Sequence, residues 1–208
     1  INTHAAASSA AMAWLLIERF TLGKPTSVGF ATGAIAGLAA VTPAAGYVMP
    51  MQALIIGLVA GALCYGAVRL RARIGFDDSL DVVGVHGVGG VWGALATGIF
   101  ADEKVSGLSY ANGLMNGEWH RFTDALIGVG AIGAYSFLVT FVLLKVLDLT
   151  IGIRVSEDEE ELGLDLTQHG ERGYTTDETG VPLGVGNVLP APPATYTAAI
   201  KGQSAAQH

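Results

Sequence analysis

Charged residues are scarce in this chain. Asp, Glu, Lys and Arg make up 14% of the 208 residues, and hydrophobic residues reach 51%, whereas an ordinary soluble domain is about 25% charged. Because long uncharged runs accompany this deficit, the composition predicts a membrane protein. The net charge of −7 is unevenly spread, since five of the 18 acidic residues form one run at 157–161. The hydrophobic part is nearly neutral and gives no basis for nucleic-acid binding.

Cysteine is nearly absent as well, since Cys64 is the only one. One cysteine excludes a disulfide framework, and its position inside an apolar run predicts a small buried packing residue. The sequence has no His, Cys, Asp or Glu spacing typical of a zinc or di-iron site. It also has no G-x-S-x-G motif and no phosphate-binding loop. We therefore predict that the chain is not an enzyme and holds no metal or other cofactor.

Five segments are apolar enough to cross a bilayer, which takes roughly 20 residues per helix. They are residues 3–17, 27–48, 51–68, 82–101 and 123–147. The first is short, and the chain starts without Met or a basic leader, so we expect it to begin within something larger, close to or inside a membrane segment. Small residues recur every third or fourth position in the second and fourth segments, which is typical of closely packed membrane helices. The pattern predicts an all-α polytopic membrane bundle.

The basic residues predict the orientation of this bundle. The first and third connectors hold five of them, and the even-numbered connectors hold two. The first connector contains Arg19 and Lys24, and the third contains Arg69, Arg71 and Arg73. The two in the even-numbered connectors are Lys104 and Arg121. Since connectors rich in Lys and Arg stay in the cytoplasm, the first segment runs inward from outside and the carboxyl terminus is cytoplasmic.

The composition changes after about Ile153. Residues 154–180 are polar and acidic, with a short helix expected at 156–163, and residues 181–208 are rich in Pro, Ala and Gly. We predict three regions: a transmembrane part at 1–153, a cytoplasmic regulatory segment at 154–180 and a disordered tail at 181–208.

One histidine lies deep within an apolar run. His86 follows the start of the fourth segment by about a turn and a half, in "DVVGVHGVGG". An ionisable residue at such depth usually faces the bundle interior or a cavity and indicates a functional site. The alternative is a neutral histidine hydrogen-bonded to a neighbouring helix. Burial among Val and Gly would favour the neutral imidazole, which both donates and accepts a hydrogen bond and so suits a small polar solute or a proton relay.

Aspartates precede this histidine. Asp81 lies where a helix N-cap is expected, and its carboxylate would accept hydrogen bonds from exposed amides. We expect Asp77 and Asp78 to be loop residues or partners of arginines.

Several stretches taken in order resemble the carboxyl-terminal half of the ammonium transporter family (Amt/Mep, with the Rh proteins as relatives). They are "TGAIAGLAAVTPAAGYV", "ALIIGLVAGAL", "DDSLDVVGVHGVGGVWGALATGIFA" and "DLTIGIRVSEDEEELGLDLTQHGERGY". The resemblance covers about residues 2–175. It implies five transmembrane helices, the seventh to eleventh of an eleven-helix fold, with homotrimers in the plasma membrane and ammonium or ammonia moving through one hydrophobic pore per subunit.

The resemblance also assigns roles to pore residues. His86 matches the second member of the family's twin-histidine pair, whose partner belongs to a fifth helix that this chain does not contain. Val82 matches an apolar pore-lining position near the cytoplasmic exit. Thr32 matches a small hydroxyl near the pore, and an ordinary interhelical hydrogen bond is its alternative interpretation.

The stretch "GLDLTQHGERGY" resembles the family's cytoplasmic motif, which packs on the neighbouring subunit and couples the three pores. Its residues here include Thr167, His169, Gly170 and Tyr174. Thr167 falls where plant members are phosphorylated, although an ordinary turn residue is the simpler interpretation of one threonine. A PII-type nitrogen-signalling protein is the expected partner at this face.

Three alternatives stay open at this point. The protein would be an ammonium sensor with little flux, a Rh-like channel for neutral ammonia, or a fragment without independent function. Since one half of an inverted pair cannot enclose the pore, we predict that these 208 residues alone do not conduct.

Overall fold

A computed structural model describes residues 1–170, and these residues form helices and connecting turns without any strand. The helices are α1 (Asn2–Thr21), α2 (Ser27–Val41), α3 (Pro50–Ile74), a π-helical segment (Val83–Gly87), α4 (Val88–Phe100), α5 (Glu103–Ser106), a 3₁₀ turn (Leu114–Asn116), α6 (Trp119–Thr150), α7 (Glu157–Leu162) and α8 (Leu164–Thr167). The predicted disordered tail at 181–208 lies outside the described residues.

The chain divides into two compact units, Ile1–Leu138 and a second that begins at Val139. In the first unit, α1 packs against both α2 and α3, and α2 and α3 pack against the π-helical segment and α4. The second unit contains the end of α6 and the short helices α7 and α8. The predicted domain limits at 153 and 180 stay predictions.

Among residues 1–170, three helical stretches are long and apolar enough to cross a membrane: Pro50–Ile74, Val83–Phe100 and Trp119–Thr150. Helix α2 is also apolar but shorter. It ends at Val41, whereas the predicted segment continues to residue 48. Pro43 explains the early end, since proline lacks the amide hydrogen that a continuing helix needs. Non-helical turns therefore replace the last part of the predicted span.

Small residues make the core of the first unit. Ala6 and Ala10 of α1 are fully buried. On α2, a Cβ atom added to Gly37 would collide with the Ala6 carbonyl and would lie 2.7 Å from the Ala10 Cβ. On α3, a Cβ atom added to Gly57 would collide with the same Ala6 carbonyl. Glycine thus lets two helices approach the α1 backbone at one level, as in other tightly packed membrane helices.

A side chain at the start of α1 fixes the turns that follow α2. The Asn2 amide group donates to the Ala45 carbonyl oxygen at 2.9 Å and to the Val48 carbonyl oxygen at 2.7 Å. Val48 is fully buried. Carbonyls that no longer belong to a helix would be costly to leave unpaired in an apolar setting, and Asn2 satisfies two of them.

Candidate functional site

His86 lies within the π-helical segment Val83–Gly87, which continues into α4. The Val88 amide donates to the Val83 carbonyl, five residues back, which is the π-helical pattern. Single π-helical turns inside α-helices are rare and occur frequently at functional sites. The local backbone therefore agrees with the functional interpretation of His86.

The two sides of this segment differ in burial. Val85 is 3% exposed and Gly84 is buried, whereas His86 is exposed together with Val82 and Val83. Within residues 1–170, no protein group hydrogen-bonds the imidazole. The expected burial of His86 among Val and Gly is thus not observed in the described part of the chain, because α2 and α3 cover the side that carries Gly84 and Val85.

Helix α3 supports the buried side of the segment. The Cys64 thiol, itself fully buried, donates to the Val85 carbonyl oxygen at 3.6 Å. One turn further along α3, Val68 packs so closely that a Cβ atom on Gly84 would lie 2.9 Å from the Val68 Cγ2 atom. Cys64 is therefore the buried packing residue that its apolar surroundings predict, and it also partners a carbonyl in the irregular turn.

The aspartates before His86 have exchanged the roles that the sequence indicates. The Asp78 carboxylate accepts from the Val82 amide at 2.9 Å and from the Val83 amide at 2.8 Å, so Asp78 supplies the cap. Asp81 contributes only its backbone to the start of the helical stretch, because its carbonyl accepts from the Val85 amide at 2.8 Å. The predicted capping by the Asp81 side chain is wrong. Its carboxylate turns to Arg71 instead, with Oδ1 2.6 Å from one guanidinium nitrogen.

Thr32 lies on α2, on a different helix from His86 and Val82. Its hydroxyl donates to the Val28 carbonyl oxygen, one turn earlier in the same helix, at 2.8 Å. The hydrogen bond is thus within one helix, and among the described residues the interhelical bond considered from the sequence is not formed. Threonine commonly satisfies its hydroxyl in this way inside apolar helices.

A buried carboxylate escapes the sequence analysis. Glu18, 5% exposed, accepts from the Trp14 indole nitrogen at 3.2 Å and from the Thr26 amide at 2.7 Å. Thr26 is the N-cap of α2, and its hydroxyl accepts from the Gly29 amide. Gly29 leaves the room that the carboxylate occupies, since a Cβ atom there would collide with it. The sequence pattern that indicates it is a glutamate one turn after a tryptophan, followed eight residues later by the N-cap threonine of the next helix, with glycine three positions beyond.

In the second unit, the acidic run forms α7, which confirms the short helix expected at 156–163. Ser156 and Glu159 make a capping box, in which each side chain accepts from the other residue's backbone amide. The Glu159 carboxylate accepts from the Ser156 amide and also from the Ser156 hydroxyl. The bond from the amide, and to a lesser extent the bond from the hydroxyl, lowers the pKa of this exposed carboxyl below its usual value. The Glu159 carboxylate also accepts from the Gln168 side chain at 3.1 Å, which joins α7 to the residues after α8.

The predicted regulatory residues follow at once. The Thr167 hydroxyl donates to the Gly163 carbonyl oxygen at 3.1 Å, and the His169 amide donates to the Leu164 carbonyl oxygen at 3.3 Å. Gly170 has a φ of 65°, a left-handed conformation that favours glycine. Tyr174 lies outside the described residues. The structure thus places three of the four tail residues in and directly after α8.

A cavity of about 290 Å³ lies away from His86, in the first unit. Tyr47, Tyr110, Arg121 and Asp124 are among the residues that line it. The Arg121 guanidinium lies 5.4 Å from the centre of the Tyr110 ring, within the range of a cation–π contact. From the sequence, Arg121 enters only the predicted orientation, and no sequence pattern indicates this cavity.

Comparison with known proteins decides the family. A family profile described as Ammonium Transporter Family matches residues 1–174. The chain belongs to the ammonium transporter family. It is 48% identical over 175 residues to the ammonium transporter Amt1 of Archaeoglobus fulgidus, a match that covers 84% of this chain and 44% of that protein.

Solved structures of ammonium transporters share the fold. The crystal structure of Saccharomyces cerevisiae Mep2 superposes with a TM-score of 0.72 at 37% identity, covering 92% of this chain and 42% of that one. A structure titled "Sensor Amt Protein" gives a TM-score of 0.70 at 30% identity, over 80% of this chain and 40% of that one. The chain spans less than half the length of the relatives it matches.

These matches confirm the family resemblance and the predicted all-α membrane bundle. The ammonium transporter fold and the three membrane-crossing stretches make this chain part of a multi-pass membrane protein. Its relatives are named transporters, which fits the prediction that it is not an enzyme. The numbering of its helices as the seventh to eleventh stays a prediction.

Proposed function

We propose that this chain forms the carboxyl-terminal part of a transporter that moves ammonium or ammonia through a hydrophobic pore lined by His86 and Val82. One observation carries the proposal: in a member of the ammonium transporter family, an imidazole lies on the exposed side of an otherwise uncharged membrane-crossing stretch. Thr32 is the third candidate near the pore, supported by its match to the family pattern alone.

The chemistry of the solute favours such a lining. Ammonium is costly to transfer from water into an apolar channel, whereas neutral ammonia is much less so. A neutral imidazole accepts a hydrogen bond at one ring nitrogen and donates from the other. A pair of such rings passes ammonia along and can relay the proton separately. His86 supplies one ring, and the proposed partner ring belongs to the part of the protein that the matched relatives have and this chain lacks.

The proposal extends to the assembly. The complete protein is a homotrimer in the plasma membrane. Its carboxyl terminus lies in the cytoplasm, which the distribution of basic residues supports. Residues 154–180 form a regulatory segment that a PII-type protein can approach. A phosphate on Thr167 would add about two negative charges beside an acidic helix, and it would replace the hydroxyl that now donates to Gly163. Undocking of this segment would follow from the added repulsion.

The test is the charge moved per ammonium taken up, measured in proteoliposomes with the complete transporter. Wild type is compared with His86→Ala and with His120→Ala, a control on an exposed histidine in the first turn of α6. We expect a current in the wild type that falls or loses selectivity only in His86→Ala. Uptake without current would favour a Rh-like channel for neutral ammonia. Unchanged behaviour of His86→Ala would refute a role of the imidazole in transport.

An ammonium sensor is the second candidate. The match to the structure titled "Sensor Amt Protein" and the acidic helix α7 favour it. Flux separates the two functions, because a sensor binds ammonium without sustaining uptake. Growth on low ammonium of cells lacking their own transporters would support the transporter, and binding without growth would support the sensor.

A further inference from the structure

One face of α3 contacts the residues just before His86 at three successive positions. Cys64, Val68 and Arg71 are spaced by four and three positions, so they share one face of the helix. Their contacts are Cys64 with Val85, Val68 with Gly84, and Arg71 with Asp81. The order of the contacts along α3 is the reverse of their order along residues 81–85, as expected for two antiparallel segments. Three contacts therefore fix the register of the π-helical segment against α3.

The contact between Arg71 and Asp81 differs from the other two because it holds an unfavourable backbone. Asp81 has a φ of 54°, and it is the one non-glycine residue among residues 1–170 with a positive φ. The left-handed region is costly for residues with a Cβ atom, although aspartate and asparagine tolerate it best. Such conformations persist where the surroundings hold them in place, and they cluster at functional sites.

The geometry of the pair suits this task. The Arg71 Nε and a terminal nitrogen lie 3.1 and 2.6 Å from the same carboxylate oxygen of Asp81. Both side chains are less than one third exposed, at 27% and 28%. The pair is thus partly shielded from water, and a charged hydrogen bond there is stronger than at an open surface. The Asp81 carbonyl also accepts the first hydrogen bond of the helical stretch that carries His86.

We propose that Arg71 and Asp81 are positioning residues: their ion pair holds the left-handed turn at Asp81 and thereby sets the direction in which the π-helical segment presents His86. The inference rests on the proposed function of His86, which Arg71 does not contact. Asp78 adds the cap on Val82 and Val83 but cannot replace the pair, because it does not connect the segment to α3.

Hydrogen exchange tests, independently of transport, whether the Arg71–Asp81 ion pair holds the turn at Asp81. Exchange of the amides at 82–87 is followed by mass spectrometry in the complete transporter, for Arg71→Gln, Asp81→Asn and the double variant. Arg73→Gln is the matched control, since Arg73 lies on the same helix end and is exposed. We expect exchange about fivefold faster or more in both single variants, no further increase in the double variant, and the wild-type rate in Arg73→Gln. Wild-type exchange in both Arg71→Gln and Asp81→Asn would overturn the proposal.

The second readout is the charge moved per ammonium, normalised to the amount of folded transporter. Arg71→Gln is expected to shift this ratio, or the discrimination against potassium, in the direction of His86→Ala, with partial recovery in Arg71→Lys. A merely structural pair would lower the amount of folded protein and leave the ratio unchanged, which would refute positioning. Faster exchange in Arg71→Gln together with a wild-type charge per ammonium in His86→Ala would instead overturn the proposed role of His86. It would still support the ion pair as the contact that holds the turn at Asp81.

Discussion

Two glycines of α4 offer a matched test of how closely this helix approaches α2. A Cβ atom on Gly93 would lie 2.8 Å from the Ala40 carbonyl carbon and 3.0 Å from its Cα, and would collide with the carbonyl oxygen. Nothing lies within 4 Å of a Cβ atom on Gly90, three residues earlier. Because Ala40 is fully buried and the contacting atoms belong to its backbone, they cannot move aside as the end of a long side chain would.

The expected magnitudes follow from two opposing terms. Replacing glycine by alanine inside a helix stabilises it by about 1 kcal/mol, and both variants share this gain. Overpacking of a close contact costs about 1–3 kcal/mol, and only Gly93→Ala incurs it. We therefore expect Gly90→Ala to be as stable as wild type or up to about 1 kcal/mol more stable. Gly93→Ala is expected to be less stable than Gly90→Ala by about 1–3 kcal/mol.

Thermal denaturation in detergent measures this difference. The folded fraction of the complete transporter is determined by size-exclusion chromatography after heating, for wild type and both variants. The midpoint of Gly93→Ala should lie below that of Gly90→Ala. Equal midpoints would refute the argument, because they would mean that α2 and α4 separate without cost. A lower midpoint for Gly90→Ala would show that its face is covered by protein outside this chain.

Two further predictions concern carboxylates. Glu18→Ala leaves the Trp14 indole and the Thr26 amide without their acceptor, so we expect a loss of about 1–3 kcal/mol in the free energy of unfolding; thermal denaturation should rank it below Glu18→Gln, and equal midpoints would contradict the buried acceptor. Since the folded-state pKa of Glu159 is lowered, its contribution to α7 is present above its ordinary pKa near 4.5 and lost as the pH falls through the lower folded value. Amide exchange of α7 against pH should show this loss. Ser156→Ala should make the loss smaller without abolishing it, because the backbone amide of residue 156, which lowers this pKa most, remains.

Much of the fold follows from apolar length and small-residue spacing. Segment 51–68 lies within α3, and segment 82–101 nearly coincides with Val83–Phe100. These patterns succeed because a membrane leaves the backbone few alternatives to helices. The prediction fails where a single residue decides, as at Pro43, since apolar composition continues after the helix has ended at Val41.

The surroundings of the candidate site could not be predicted as well. Sequence spacing favours Asp81 as the cap, and nothing in it shows that Arg71 lies within reach and draws that carboxylate away. The π-helical turn depends on contacts from Cys64 and Val68 on another helix. The buried Glu18 carboxylate is satisfied by three donors, one from Trp14 of α1 and two from Thr26 at the start of α2, and no local pattern expresses this convergence. Each of these features is set by tertiary contacts.

The exposure of His86 itself constrains what surrounds it in a membrane. An imidazole facing hydrocarbon tails would lose its hydrogen bonds to water, at a cost of a few kcal/mol per polar group. Val82 and Val83 on the same side carry no such cost. A histidine in this position is therefore tolerable only where protein or a water-filled path covers it. This constraint supports the proposal that the exposed side of Val83–Phe100, which carries His86, forms one wall of the pore.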